Sequence, residues 1–295
     1  MNSLIEQAAQ RLEQLRQAGA DMPAMPALTP VGAAPRQPAP SAPSSQSRRI
    51  EIDLDALSAA GIVSPNAPRS QIADQFRVIK RPLISNAMGK GASIIANGNL
   101  IMVTSALPGE GKTFTAINLA MSIATELDNT VMLVDADVAR PSVMDVLGLS
   151  KGPGLLDLVL DESKDLSDML LKTNIDKLTI LPSGTPHARA TELLASDAMI
   201  RLLNDMAKRY ADRIIIFDSP PLLLATESPV LASHMGQIVM VVQAEKTLQS
   251  DVAHALSTIE ACPVKLMLLN QVKTISKGRY TDGYGYGYGY AQQPA

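Results

Sequence analysis

Six short, unbroken apolar runs constrain this chain more than anything else in it. They are LIMVT (100–104), VMLV (131–134), LTIL (178–181), IIIF (214–217), IVMVV (238–242) and LMLLN (266–270). A strand with one wet face alternates apolar and polar residues. A continuous run has no wet face, which is the mark of parallel strands covered on both sides. The segments between, 112–127, 191–210 and 247–261, have helix length and helical patterning. The expectation is one α/β domain, a doubly wound, mostly parallel sheet with helices on both faces and its ligand at the carboxyl ends of the strands.

The first run leads directly into Ser105, Ala106, Leu107, Pro108, Gly109, Glu110, Gly111, Lys112 and Thr113, then into a helical stretch opening on Phe114. A glycine-bearing loop between strand and helix, closing on Gly-Lys-Thr, is a phosphate-binding loop of the P-loop NTPase type. Glycines let backbone amides turn toward the phosphates, and the helix amino terminus adds partial positive charge. Lys112 is expected on the β- and γ-phosphates and Thr113 on Mg²⁺, which makes ATP and Mg²⁺ the cofactors. Ala106 stands where such loops usually carry their first glycine.

A second run ends in Asp135-Ala-Asp137, and IIIF ends in Asp218-Ser-Pro-Pro. In a doubly wound sheet all three carboxylates converge on the phosphate loop. Beside a Mg²⁺-phosphate group their charge is compensated, and one can accept a proton. Singly, each could cap a helix or a turn.

Length 295 permits one large or two small domains, and net charge −3 gives no sign of a nucleic-acid partner. One cysteine, Cys262, excludes an internal disulfide and fits a reducing compartment. No apolar run reaches the ~18–20 residues that span a bilayer. The start MNSLIEQAAQ lacks a signal-peptide pattern, so the expected location is cytoplasmic. Residues 1–20 form an amphipathic helix by pattern, either a docking helix or a frayed leader. Residues 21–48 are a Pro/Ala/Ser-rich linker. Residues 49–92 read as an extension with one helix, Arg69 to Lys80. Residues 93–276 are the P-loop domain and 277–295 a tail. His187, His234 and His254 have no metal-ligand spacing.

That tail holds five of the six tyrosines: Tyr280, Tyr284, Tyr286, Tyr288 and Tyr290. Alternating glycine leaves it no apolar face to bury, so its phenols are expected to be accessible. A nucleotide site and a row of phenols in one chain point to a kinase and its own substrate.

Together these motifs resemble the bacterial tyrosine autokinases, relatives of partition and division-site ATPases. The resemblance covers roughly residues 65–290. VMLVDADVARP resembles the family's second aspartate motif, IIIFDSPP its Walker B strand, and the tail its autophosphorylated cluster. Asp74, Arg77 and Lys80 are similar to a Glu-x-x-Arg-x-x-Arg element tied to ring assembly, with lysine in place of the last arginine. The family's arginine after the second aspartate motif is displaced by one residue to Arg140, behind Ala139. The family's Asn-Pro before Glu-Leu-Leu is Arg189-Ala190 here, before Glu192. FRVIKRPL and DADVARPS resemble the autokinases encoded beside exopolysaccharide and exosortase genes.

The resemblance implies Mg²⁺ on Thr113, Asp137 and Asp218 and a base at Asp135 or Asp137. Asn270 is then either an adenine contact or a strand-end turn residue. It also implies a homo-oligomer, a membrane chain-length or co-polymerase partner that brings the kinase to the inner membrane, and an opposing tyrosine phosphatase. A sixteen-residue tail reaches at most ~50–55 Å, enough for phosphorylation in trans. Two rivals remain. One is a partition-type ATPase, disfavoured because neither Leu107 nor Pro108 supplies its extra lysine. The other is a non-catalytic ATP-binding scaffold.

Overall fold

Odd and even residues of the central strands go to opposite cores, which explains their unbroken apolar runs; the run 266–270 differs, because it forms an edge strand in which Met267 and Leu269 are exposed. Ile101, Val103, Val131, Leu133, Ile214 and Ile216 pack into one cluster. Leu100, Met102, Met132, Val134, Ile215 and Phe217 pack into the other. Both sides are dry, so no position along these strands favours a polar residue until the strand ends. The computed structural model describes residues 48–65 and 70–273.

The strands are β1 (Leu100–Ser105), β2 (Thr130–Asp135), β3 (Leu171–Lys172), β4 (Leu178–Leu181), β5 (Arg213–Asp218), β6 (Gln237–Gln243) and β7 (Val264–Asn270). They form a seven-stranded sheet in the order β3-β4-β2-β5-β1-β6-β7. All pairs are parallel except the short edge pair β3–β4. The helices are α1 (Leu54–Ala59), α2 (Gln71–Ala87), α3 (Lys112–Ala124), α4 (Val143–Val146), α5 (Leu155–Leu160), α6 (Leu166–Met169), α7 (Ala190–Leu194), α8 (Asp197–Arg209), α9 (Glu227–Ala232) and α10 (Gln249–Ser257).

Two helix boundaries differ from expectation. The helix expected to end at Lys80 continues through Pro82 to Ala87. Proline normally breaks a helix interior, but tertiary bonds hold the far end. Gln237 Nε2 donates to the Leu83 carbonyl at 3.1 Å, and Asn86 Nδ2 donates to Gln237 Oε1 at 2.9 Å. The single helix expected over 191–210 is two, because the Ser196 hydroxyl caps α8 by accepting from Met199 N at 3.3 Å.

The described part of residues 49–92 packs on the sheet. Ile52, Leu57, Ile62, Phe76 and Leu83 belong to the same core as α3 and the sheet. Lys80 shows why α2 is fixed there. It is 2% exposed, pairs with Glu126 at 2.7 Å and donates to the Ser122 carbonyl at the end of α3. Lys80 therefore does not share the exposed helix face of Asp74 and Arg77, which pair with each other. Its expected part in an assembly contact is corrected. With Thr125 Oγ1 as a third acceptor at 3.3 Å, the buried ammonium has no donor left over for a neighbour. The expected helix in 1–20, the linker and the tyrosine tail lie outside the described residues.

Candidate active site

β1 ends at Ser105, and the loop to α3 folds over the carboxyl edge of the sheet. Gly109 and Gly111 sit at φ 81° and 96°, in the left-handed region that glycine enters without strain. A Cβ on Gly111 would lie 2.1 Å from Asn270 Nδ2, so a side chain there would have to displace that amide from the loop. No side chain caps α3, which leaves its first amides available to an anion.

The loop is braced from the ends of β6 and β7. Asn270 Nδ2 donates to the Glu110 carbonyl at 2.9 Å, and Gln271 Nε2 donates to the Gly109 carbonyl at 2.9 Å. Glu110 was expected among the nucleotide contacts, but its side chain turns away. Its carboxylate accepts from Leu107 N at 2.7 Å and from the Thr247 hydroxyl. The backbone of Glu110 stays in the loop, while its side chain fixes the loop's shape. Asn270 is likewise a brace in this structure. Gln271, Thr247 and Ser142 escaped sequence reasoning, because nothing local to them announces a partner more than a hundred residues away or across a loop. Ser142 Oγ lies 3.0 Å from Thr113 Oγ1.

The three expected aspartates do converge. Asp135 and Asp218 end neighbouring strands as register partners, on the face covered by α3. Asp137 Oδ2 meets Lys112 Nζ at 2.7 Å. Arg140 is exposed, and only its amide joins the cluster, donating to Asp137 Oδ1 at 3.1 Å. Phe114 packs on the core below.

Two carboxyls side by side in a dry site cannot both ionise readily. Burial, then the neighbouring Asp218 charge, pushes Asp135 up to about 8, against the Val143 amide. Burial pushes Asp218 up to about 7, while Lys112 and the nearby Thr113 hydroxyl hold it down. Asp135 Oδ1 and both Asp218 oxygens are buried without a hydrogen-bond partner. Orphaned carboxylate oxygens beside an open helix amino terminus fit a hard cation carried with phosphate. No described group of three or more His, Cys, Asp or Glu side chains forms a metal site unaided. A cation here would need phosphate oxygens to complete its shell.

The comparisons agree with this geometry. A family model described as an AAA domain (AAA_31) matches residues 98–271, more than half of the chain. The chain is 31% identical to tyrosine-protein kinase YwqD of Bacillus subtilis over 221 residues, covering 74% of this chain and 89% of that protein. It is 34% identical to tyrosine-protein kinase CpsD of Streptococcus agalactiae, covering 59% of this chain and 75% of that one. It spans only 25% of the length of tyrosine-protein kinase ptk of Acinetobacter johnsonii, to which it is 32% identical. Among solved structures, the chimerical protein CapA2B2 superposes with a TM-score of 0.58 at 27% identity, over 72% of this chain and 97% of that one. The VpsO kinase domain gives 0.55 at 26% identity, over 69% and 100%. The phosphate loop, its lysine and its converging aspartates thus sit in a chain that belongs to the bacterial tyrosine-protein kinase family of P-loop proteins.

Proposed function

We propose that this chain is an ATP-dependent tyrosine autokinase that phosphorylates its own tail, Tyr280, Tyr284, Tyr286, Tyr288 and Tyr290, in trans between copies. The observation that carries the reading is Asp135, a buried carboxyl beside the phosphate loop pushed up to about 8. Free tyrosine has a pKa of ~10, so its proton must leave during transfer. That value belongs to the nucleotide-free site; the positive charge of Mg²⁺ arriving with ATP would ionise Asp135, and the carboxylate so formed would take the phenol proton. The phenol oxygen bonds to the γ-phosphorus, the bond to the bridging oxygen breaks, ADP leaves, and the proton passes to Asp135.

Lys112 exchanges its Asp137 partner for the transferring phosphoryl group. Asp137, Asp218 and Thr113 would hold Mg²⁺, which supplies charge neutralisation on the phosphate oxygens. Glu110, Asn270 and Gln271 keep the loop in shape.

We also propose a homo-oligomer in which exposed Asp74 and Arg77 take part, without Lys80. Five phosphates would add about −8 to −10 charge and drive crowded tails apart. We place the chain in the cytoplasm, recruited to the inner membrane by a co-polymerase protein of exopolysaccharide export and reset by a phosphatase. No helix of the described residues is long and apolar enough to cross a membrane.

Incubation with labelled ATP, wild type beside Lys112→Met, tests the activity. Label on tail tyrosines in wild type alone is expected. Free phosphate without labelled protein would make the chain an ATPase, and neither product would make it a scaffold. Sedimentation of both phosphorylation states tests the switch, and identical oligomers would sink it.

A further inference from the structure

Six buried side-chain polar atoms among the described residues lack a hydrogen-bond partner. Three belong to Asp135 and Asp218, where a ligand is expected. Two others, Thr130 Oγ1 and Arg213 Nε, lie together at the opposite end of the sheet, and the sixth is Thr115 Oγ1 in α3. Thr130 and Arg213 open β2 and β5 and are register partners. Both line a cavity of about 230 Å³ at the amino ends of β2, β4 and β5. Six residues of strand separate it from the phosphate loop, about 20 Å.

Its lining is basic. The segment before α1 lies along β3, with Ile50 N donating to the Lys172 carbonyl at 2.8 Å and Lys172 N donating to Arg48 O at 2.9 Å. That register sets Arg49 directly opposite Lys172. Like charges placed opposite each other are destabilising unless something compensates them. Neither has an acidic partner among the described residues, nor does Arg213. Arg213 is held over the Tyr210 ring at 4.9 Å. Lys177 is turned to the Glu126 and Leu127 carbonyls. Asp176 is the one acid in the lining.

We propose that this pocket is a second binding site, for a phosphate monoester, with phosphotyrosine from the tail of this chain or of a second copy as the ligand. Orphaned carboxylates at one end of the sheet call for a cation. An orphaned guanidinium N–H, a hydroxyl and two uncompensated cations at the other call for an anion. Guanidinium, ammonium and hydroxyl donors together suit tetrahedral phosphate. A dianion of about −1.5 to −2 matches the cationic excess better than a carboxylate does. The cavity lies below the ~300–1,000 Å³ of sites for larger ligands, so it takes a phosphoryl group and not a nucleotide. The choice of phosphotyrosine rests on the autokinase reading; inorganic phosphate is the other source of the same chemistry.

The test uses dephosphorylated full-length chain saturated with a non-hydrolysable ATP analogue and Mg²⁺, which fills the phosphate loop through its γ-position. A synthetic peptide of residues 279–290 phosphorylated at Tyr286, the same peptide unphosphorylated, and inorganic phosphate are each titrated by calorimetry. The phosphopeptide is expected to bind at least about tenfold more tightly than the other two. Arg213→Gln, and Arg49→Ala combined with Lys172→Ala, are each expected to weaken it about tenfold, the loss of one charge-assisted contact, with affinity for the ATP analogue unchanged. Arg213→Lys keeps the charge, serves if the glutamine variant fails to fold, and should fall between. Inorganic phosphate binding as tightly as the phosphopeptide would overturn the tail as ligand. No binding, or binding indifferent to all of these variants, would overturn the site. Because the peptide is synthetic, unlabelled tyrosines in the kinase assay would sink the autokinase reading while leaving this result standing.

Discussion

The two ends of one sheet present opposite problems. At the carboxyl end, Asp135, Asp137 and Asp218 crowd acidic groups under a loop built to receive phosphate. At the amino end, Arg49, Lys172 and Arg213 crowd basic groups around a small cavity. Each end leaves buried polar atoms without partners, and the sign of the orphans differs. Charge that a dry core excludes collects where strands begin and stop, and its sign tells what the end can hold.

The largest expected effect separates the ends outright. Lys112→Met should cut tail phosphorylation by about 10²–10³-fold, as loss of a group stabilising developing charge does. Phosphopeptide binding at the amino end should be untouched, and a joint loss would mean that the ends are one site.

Next comes Lys80→Ala. Removing a buried ammonium whose acidic partner is partly exposed should cost about 1–3 kcal/mol in urea unfolding. Sedimentation should show the variant's assembly unchanged, whereas Arg77→Ala should shift it. The reverse pattern would return Lys80 to the interface.

The carboxyl end should also set a pH slope. Asp135 and Asp218 hold protons in the folded, nucleotide-free protein up to about pH 8 and about pH 7. The unfolded chain releases them near pH 4. Folded protein therefore binds more protons across this window, and stability falls as pH rises through it. Asp135→Asn should flatten the slope and stabilise the nucleotide-free form by about 1–3 kcal/mol at pH 8, read from melting curves. An unchanged slope would mean that the orphaned oxygens meet a partner in solution.

The smallest effect lies at the amino end. Asp176→Asn removes the one acid of the cationic pocket and should tighten phosphopeptide binding about two- to threefold, the scale of an exposed charge. Weaker binding would show that Asp176 orients a cation instead of opposing the ligand.

The sheet, the phosphate loop and the converging aspartates were legible because each depends on local pattern. Apolar runs announce strands, Gly-Lys-Thr after a strand announces the loop, and aspartates at strand ends have nowhere else to point. Helix boundaries were less so. Pro82 signals a stop, and only Gln237, 151 residues from Asn86, explains why α2 continues. Glu110 was assigned to the ligand because its position in the loop is visible while Thr247, its partner, is not. Resemblance to the family's assembly element puts Lys80 on a surface with Asp74 and Arg77, yet its stem passes into the core to meet Glu126.

The sequence by itself therefore determined the fold class, the place of the phosphate loop and the acidic end of the sheet, all written in short-range periodicity and adjacency. Tertiary structure alone decided which polar groups face a ligand, which brace the loop, and that Arg49, Lys172 and Arg213 meet at all. Those three are brought together by strand order and register, and pairing energies between distant segments leave no trace in the local pattern.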